Sequence, residues 1–137
     1  MKATPAVFVV DDEEPIRRAF EVLLGAQGIA VRTFSSAEAF LQSYSDDWVG
    51  CLFVDVRMPN MSGAELHGEL CKRKTSLSVV LMTGHESSDS LQDLLGGQIL
   101  VLEKPFSAEA LKELVRRQWS AFSGDDNPPP LFGGKAG

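Results

Sequence analysis

The sequence predicts a doubly wound α/β domain with a five-stranded parallel sheet in the order 2-1-3-4-5. Short apolar runs alternate along the chain with segments whose apolar residues recur every three or four positions, a pattern typical of strands alternating with helices. Polar residues follow directly after several of the apolar runs. Right-handed crossovers and one reversal of winding give the strand order, with a crevice between the first and third strands.

The five predicted strands are short and mostly apolar, as expected for strands that helices cover on both faces. The second contains Arg32 and Thr33 and is therefore predicted to be an edge strand. Pro59 prevents simple continuation of the third strand beyond Asp55. The predicted strands are residues 6–10, 30–34, 51–55, 78–82 and 99–102.

Three of the predicted helices have a clear apolar face, and Pro15 suits the first turn of the first helix because its missing N–H needs no partner there. A weak helix is predicted over residues 88–95. The three apolar faces are formed by Ile16, Ala19, Phe20, Leu23 and Leu24, by Ala37, Phe40, Leu41 and Tyr44, and by Ala108, Leu111, Val115, Trp119 and Phe122.

Serine residues mark the starts of three predicted helices. Two stretches have the capping-box pattern, in which the serine and a glutamate three residues later each bond a backbone N–H of the other. The stretches are Ser35-x-x-Glu38 and Ser62-x-x-Glu65, and Ser107 is predicted to cap the last helix.

Length and charge limit the possible functions. At 137 residues the chain fits one domain, predicted over residues 1–122, with a flexible tail or linker stub over residues 123–137. The net charge of −6 argues against direct nucleic-acid binding, which needs basic patches. We find no signal peptide or membrane-spanning run. Cys51 and Cys71 are expected to be buried or half-buried free thiols, so a cytoplasmic location is predicted.

Five polar residues lie at or just after the ends of predicted strands, and the topology brings them to one edge of the sheet. Taken singly, Asp55 could cap a loop, Thr83 could be a strand-end side chain and Lys104 a solvated surface charge. Their common placement favours a site. The five are Asp11, Asp12, Asp55, Thr83 and Lys104.

Three carboxylates at one sheet edge repel one another, by about 4 kcal/mol for each close pair at an effective dielectric near 20. A divalent cation removes this conflict, and a site with only oxygen ligands suits Mg²⁺. Such an ion also helps a carboxylate to attack phosphorus. The residue types therefore favour a divalent-cation site, and phosphoryl transfer to a carboxylate is a chemistry that such a site supports.

Several motifs together resemble the receiver domain of bacterial two-component response regulators, over residues 6 to about 122. Two of the stretches are most similar to receivers that precede LuxR-type DNA-binding domains. The matching stretches are Val9-Val10-Asp11-Asp12-Glu13, Asp55-Val56-Arg57-Met58-Pro59, Ser62-Gly63, Met82-Thr83-Gly84-His85 and Glu103-Lys104-Pro105-Phe106.

The resemblance implies a flavodoxin-like (βα)5 sandwich and a specific role for each site residue. Asp55 would be the phosphoacceptor. Mg²⁺ would be held by Asp12, Asp55 and the backbone carbonyl of Arg57, with Asp11 acting through water. The switch and phosphate-binding groups would be Thr83, Gly84 and Lys104.

The resemblance also implies the partners. A sensor histidine kinase would supply the phosphoryl group, and an output protein or domain that the sequence does not identify would respond, with a homodimer also possible. The chain would not be an enzyme in its own right, although it would assist its own phosphorylation and dephosphorylation.

The switch region departs from the family pattern. Receivers commonly have Tyr or Phe three residues before the lysine, where this chain has Val101. Leu100 occupies a position that is usually polar, and the connection from Thr83 to Lys104 is about one residue short. A pseudo-receiver that signals by constitutive contacts therefore remains an alternative. A magnesium-dependent phosphatase is disfavoured because Arg57 stands where a second acid would be needed.

Overall fold

The computed structural model describes residues 5–84 and 99–123, with side chains up to residue 118. The weak helix predicted over residues 88–95 lies outside the described residues. The elements within these ranges are β1 (Ala6–Val10), α1 (Glu14–Gly25), β2 (Val31–Phe34), α2 (Ala37–Ser43), β3 (Val49–Asp55), α3 (Gly63–Lys72), β4 (Ser76–Thr83), β5 (Leu100–Glu103) and α4 (Ala108–Ser123).

The strands form one parallel sheet in the order β2-β1-β3-β4-β5, which confirms the predicted flavodoxin-like topology. The predicted edge strand, β2, lies at one edge of the sheet. Val10 lies beside Val54, and Asp55 beside Met82. This register brings the carboxyl ends of β1, β3 and β4 almost level, so residues that follow these strands are neighbours in space.

The sheet has an apolar cluster on each face, because alternate strand residues point to opposite sides. On one side Phe8 and Val10 pack with residues of α2 and α3; on the other Val7 and Val9 pack with residues of α1 and α4. The largest helix side chains of the two clusters are Phe40, Leu66 and Leu70, and Phe20, Leu24 and Leu111. The buried sheet is thus a rigid support for the residues at its carboxyl edge.

The helix ends agree with the sequence at two places and differ at one. The capping box of Ser62 and Glu65 is present in both directions, at 3.1 and 2.8 Å. Ser107 accepts a hydrogen bond from the N–H of Ala110 at 3.0 Å. The prediction for Ser35 was wrong, because α2 is capped by Ser36, whose hydroxyl accepts from the N–H of Ala39 at 3.0 Å.

The two cysteines differ in environment. Cys51 lies in β3 and is fully buried, as predicted. Cys71 was expected to be at least half-buried, but it lies on the exposed face of α3. The apolar face of α3 is formed instead by Leu66 and Leu70, so Cys71, one residue after Leu70, faces outward.

Residues 5–84 and 99–123 contain no helix that is both long enough and apolar enough to span a membrane.

Candidate functional site: an acidic pocket at the carboxyl edge of the sheet

Three aspartates meet at the carboxyl edge of β1 and β3. Asp11 and Asp12 directly follow β1, and Asp55 is the last residue of β3. Carboxylate oxygens from all three lie within 4.8 Å of one another. Asp11 is fully buried and Asp55 nearly so, whereas Asp12 is exposed. Asp11 and Asp55 are therefore enclosed at the end of the sheet, whereas Asp12 is accessible to solvent.

Lys104 supplies the positive charge of this pocket from the residue after β5. Its Nζ lies 2.9 Å from Oδ2 of Asp11 and 3.4 Å from Oδ2 of Asp55. The backbone N–H of Lys104 also donates to the carbonyl of Thr83 at 2.7 Å, which fixes the start of the side chain against β4. One ammonium group thus bridges two carboxylates on neighbouring strands.

Asp11 makes hydrogen bonds at three further atoms, two of them with the segment that follows β1 and one with β2. Its Oδ1 accepts from the N–H of Glu13 at 2.9 Å, its carbonyl accepts from Nη1 of Arg17 at 2.8 Å, and its N–H donates to the carbonyl of Phe34 at 3.1 Å. Neither Glu13 nor Arg17 was assigned a role in the site from the sequence. Oε1 of Glu13 lies 3.7 Å from Nζ of Lys104. The position of Glu13 in the acidic run after β1 was the sequence feature that could have indicated this contact.

Asp55 is positioned by the loop that follows it and by the start of α3. Its Oδ1 accepts from the backbone N–H of Arg57 at 3.3 Å. The N–H of Gly63 donates to the carbonyl of Val56 at 3.1 Å. A Cβ atom added to Gly63 would lie 2.4 Å from the carbonyl oxygen of Asp55, so only glycine allows this close approach.

The other predicted switch residues lie at the same edge. Thr83 ends β4 and is buried. Gly84 follows it, and a Cβ atom added to Gly84 would lie 3.9 Å from Cβ of Lys104. Val101 lies within β5 beside Leu81 and is half-buried. It packs against the apolar cluster of α2 and α3, so the ring position of the family pattern is filled here by a small aliphatic side chain.

The charges of the pocket shift the pKa values of its groups. Burial raises the pKa of Asp11, against the lowering effects of the Glu13 N–H and of Lys104. Burial, followed by the charge of Asp11, raises the pKa of Asp55. Burial would lower the pKa of Lys104, but the hydrogen bond and charges of its acidic neighbours outweigh it and raise that pKa. The two buried carboxylates are therefore held at a cost in free energy that one lysine does not fully offset.

Residues 7–116 match the family model of the response regulator receiver domain. The chain belongs to this family. It is therefore a receiver of two-component signalling, and its acidic pocket with Lys104 is consistent with a phospho-accepting receiver. The family is one of signalling receivers rather than of enzymes.

The receiver is similar to several curated proteins and solved structures. It is 38% identical over 112 residues to the transcriptional regulatory protein FixJ of Rhizobium meliloti, covering 81% of this chain and 55% of that protein. The crystal structure of FixJ-N matches with a TM-score of 0.71 and 36% identity, over 84% of this chain and 93% of that one. The response regulator StyR matches with a TM-score of 0.79 and 34% identity, over 89% and 62%.

The receiver spans only part of the curated relatives it matches. It covers 55% of the length of FixJ. It covers 26% of the length of the C4-dicarboxylate transport transcriptional regulatory protein DctD of Rhizobium meliloti, to which it is 34% identical over 118 residues. The similarity thus concerns the receiver portion of these regulators.

The pocket of the receiver fits a hard divalent cation. Its donor atoms are carboxylate oxygens, which Mg²⁺ prefers. The three aspartates and Lys104 leave two negative charges uncompensated among these four groups, which is the charge a divalent cation cancels. Lys104 offsets part of the negative charge of the three aspartates.

Proposed function

We propose that the receiver accepts a phosphoryl group on Asp55 from the phosphohistidine of a sensor kinase. The observation that carries this proposal is the bridge of Lys104 between Asp11 and Asp55 at the sheet edge. A carboxylate that attacks phosphorus needs cationic groups near the phosphoryl oxygens, and Nζ of Lys104 already lies 3.4 Å from Oδ2 of Asp55.

In the proposed transfer, a carboxylate oxygen of Asp55 attacks phosphorus and the bond from phosphorus to the histidine nitrogen breaks. The product is an acyl phosphate on Asp55 and a neutral imidazole after protonation. Hydrolysis reverses the modification when water attacks phosphorus and the Asp55 carboxylate leaves. The receiver assists both steps by orienting Asp55 through the Arg57 N–H and the glycine contact at the start of α3.

We further propose that Mg²⁺ is held by Asp12, Asp55 and the backbone carbonyl of Arg57, with Asp11 acting through water. When bound, the ion supplies charge stabilisation for the phosphoryl oxygens. Asp11 keeps Lys104 over the pocket through the 2.9 Å ion pair. Thr83 provides a buried hydroxyl at the end of β4, and Gly84 the next N–H, for the new anion.

The proposal extends to the partners and the location. A phosphorylated Asp55 would change binding to an output protein or domain, or to a second copy of the receiver. We place the protein in the cytoplasm, where a histidine kinase would present its phosphohistidine. Residues 1–122 would act as the receiver and residues 123–137 as a tail or linker.

The direct test is treatment with acetyl phosphate and Mg²⁺, followed by intact-mass measurement. The native chain should gain one phosphoryl group, and Asp55→Asn should gain none. Asp46→Asn is the matched control, because it removes an exposed carboxylate in the turn before β3 and should behave like the native chain. A full mass gain in Asp55→Asn would remove Asp55 from the reaction.

The magnesium part of the proposal has a separate test. Asp12→Ala should weaken Mg²⁺ binding in a calorimetric titration by about tenfold or more, because it removes the exposed carboxylate of the triad. Unchanged affinity would contradict the role of Asp12 while leaving phosphorylation of Asp55 open.

The pseudo-receiver alternative keeps one supporting observation, which is Val101 in place of a ring on β5. A chain that gains no phosphoryl group from acetyl phosphate, with Mg²⁺ binding intact, would favour that alternative.

A further inference from the structure

Apart from the acidic pocket, a pair of metal-ligating side chains lies near the end of α3. His67 and Cys71 are one helical turn apart, and Nε2 of His67 lies 3.7 Å from Sγ of Cys71. Cys71 is exposed and His67 is half-buried. Both line an open cleft of about 400 Å³ between α3 and the start of β4.

The separation of the two atoms matches the span that a tetrahedral metal ion requires. Zinc–sulfur and zinc–nitrogen bonds of about 2.3 and 2.0–2.1 Å, at a tetrahedral angle, place the two ligand atoms about 3.6 Å apart. The observed 3.7 Å is close to this value, so the two atoms are already at the separation that one ion requires. A helix fixes positions i and i+4 on one face, so the pair is organised before any ion arrives.

We propose that His67 and Cys71 form a two-residue site for a thiophilic divalent cation such as Zn²⁺. The thiol of Cys71 loses its proton to solvent on binding, and the neutral imidazole of His67 supplies the second ligand. Solvent occupies the other two positions of the tetrahedron.

The chemistry of this site differs from that of the acidic pocket. Thiolate and imidazole are soft or borderline ligands that select Zn²⁺ over Mg²⁺. Lys74 lines the same cleft and its positive charge repels any cation, so binding depends on the bonds to sulfur and nitrogen. The pair is therefore not a second magnesium site.

The two sites also lie at opposite ends of α3. Gly63, at the start of α3, contacts the backbone of Asp55, whereas Cys71 lies in the last turn of the same helix. Eight residues of α-helix separate these positions by about 12 Å along the axis. An ion at the pair would hold the end of α3, where the chain turns toward β4, and would leave the carboxyl edge of the sheet open.

The experiment is a Zn²⁺ titration by calorimetry in excess Mg²⁺, which occupies the acidic pocket. The native chain should bind Zn²⁺, and Cys71→Ser and His67→Gln should each weaken binding by more than about tenfold. Asp46→Asn is the control, because it removes an exposed carboxylate in the turn before β3, outside both sites, and should leave Zn²⁺ affinity unchanged. Equal binding by the native chain and Cys71→Ser would overturn the proposal, as would an equal loss of binding in Asp46→Asn.

A second measurement distinguishes the pair from a thiol that binds alone. Cd²⁺ should give a near-ultraviolet thiolate-to-metal absorption in the native chain, and Zn²⁺ should slow alkylation of Cys71, because Cys51 is buried. The Cd²⁺ absorption should be lost in Cys71→Ser, which also has no thiol at this position to alkylate. In His67→Gln, the metal affinity obtained from either measurement should fall by more than about tenfold. A variant His67→Gln that keeps native affinity would show that the imidazole takes no part.

Discussion

Lys74 carries the backbone strain at the end of α3. Its φ is 56°, a left-handed conformation that residues other than glycine rarely adopt. The N–H of Lys74 donates to the carbonyl of Cys71 at 3.1 Å, and the N–H of Thr75 donates to that of Leu70 at 3.2 Å. These two bonds form a Schellman motif, in which glycine is the usual residue at the left-handed position.

Replacing Lys74 by glycine should therefore stabilise the receiver by about 0.5–1 kcal/mol, because glycine adopts this conformation without a Cβ clash. Urea unfolding in the absence of metal measures the change. Lys72→Gly is the matched control: it removes a neighbouring lysine of the same charge, but inside α3, and should destabilise by a similar amount. A loss of stability in Lys74→Gly would mean that its side chain contributes more than the strain costs.

Contacts made by long side chains were the part of the site that the sequence did not reveal. The positions of Asp11, Asp12 and Asp55 follow from strand ends, which apolar runs define. The bonds of Glu13 and Arg17 depend on how far each side chain reaches from α1 or the turn before it, and periodicity contains no information on reach. Sequence patterns therefore locate the pocket but not all of its supports.

At the scale of whole elements the sequence was a good guide, because burial on both faces leaves short, continuous apolar runs. The five strands and their order were predicted, with differences of one or two residues at their ends. The start of α2 was placed one residue early because Ser35 and Ser36 are adjacent and only the second caps the helix. Adjacent candidates of equal chemistry are resolved only by the fold.

The start of α3 packs directly against the backbone of Asp55. At Gly63 a Cβ would lie 2.4 Å from the Asp55 carbonyl oxygen and 3.1 Å from Cα of Val56, both backbone atoms that cannot rotate away. At Gly68, in the middle of the same helix, a Cβ would meet nothing within 4 Å. The chain thus offers two glycines of one helix with opposite surroundings.

Gly63→Ala should destabilise the receiver by about 2 kcal/mol or more and slow phosphorylation of Asp55 by acetyl phosphate, because α3 must move away from the end of β3. Gly68→Ala should instead stabilise by about 0.5–1 kcal/mol and leave the phosphorylation rate unchanged. Urea unfolding and the rate of mass gain measure the two effects. Native stability in Gly63→Ala would show that the start of α3 can shift freely, against the role given to this contact.

Across the whole molecule, Lys104 joins the far strand β5 to the acidic residues of β1 and β3. Its ion pair with Asp11 spans 93 residues of sequence. The side chain of Asp11 is fully buried and that of Lys104 is only 16% exposed, so solvent screens this ion pair weakly. Burial raises the pKa values of both Asp11 and Asp55, and the charge of Asp11 raises that of Asp55 further, so these two groups oppose folding once both are ionised.

The sign of the pH effect follows from linkage. An aspartate whose folded-state pKa lies above its unfolded value binds more protons when folded, so stability falls as pH rises from the unfolded pKa, near 3.8, through the raised one. Lys104 acts at the other end of the scale. Its raised pKa contributes stability that is fully present below 10.5 and is lost as pH rises through the folded value.

Lys104→Met should therefore destabilise the metal-free receiver by about 2–4 kcal/mol at pH near 7, because it leaves two buried carboxylates without their cation. The loss should shrink as pH falls toward 4, where Asp11 and Asp55 take up protons, and saturating Mg²⁺ should restore part of it at neutral pH by supplying the missing charge. Urea unfolding at the two pH values, with and without Mg²⁺, measures all three effects.

The control variant Lys104→Arg keeps the positive charge and should lose much less stability than Lys104→Met. If Lys104→Met loses equal stability at both pH values and Mg²⁺ has no effect, the side chain stabilises the fold through its methylene packing, and the charge balance assigned to the pocket is wrong.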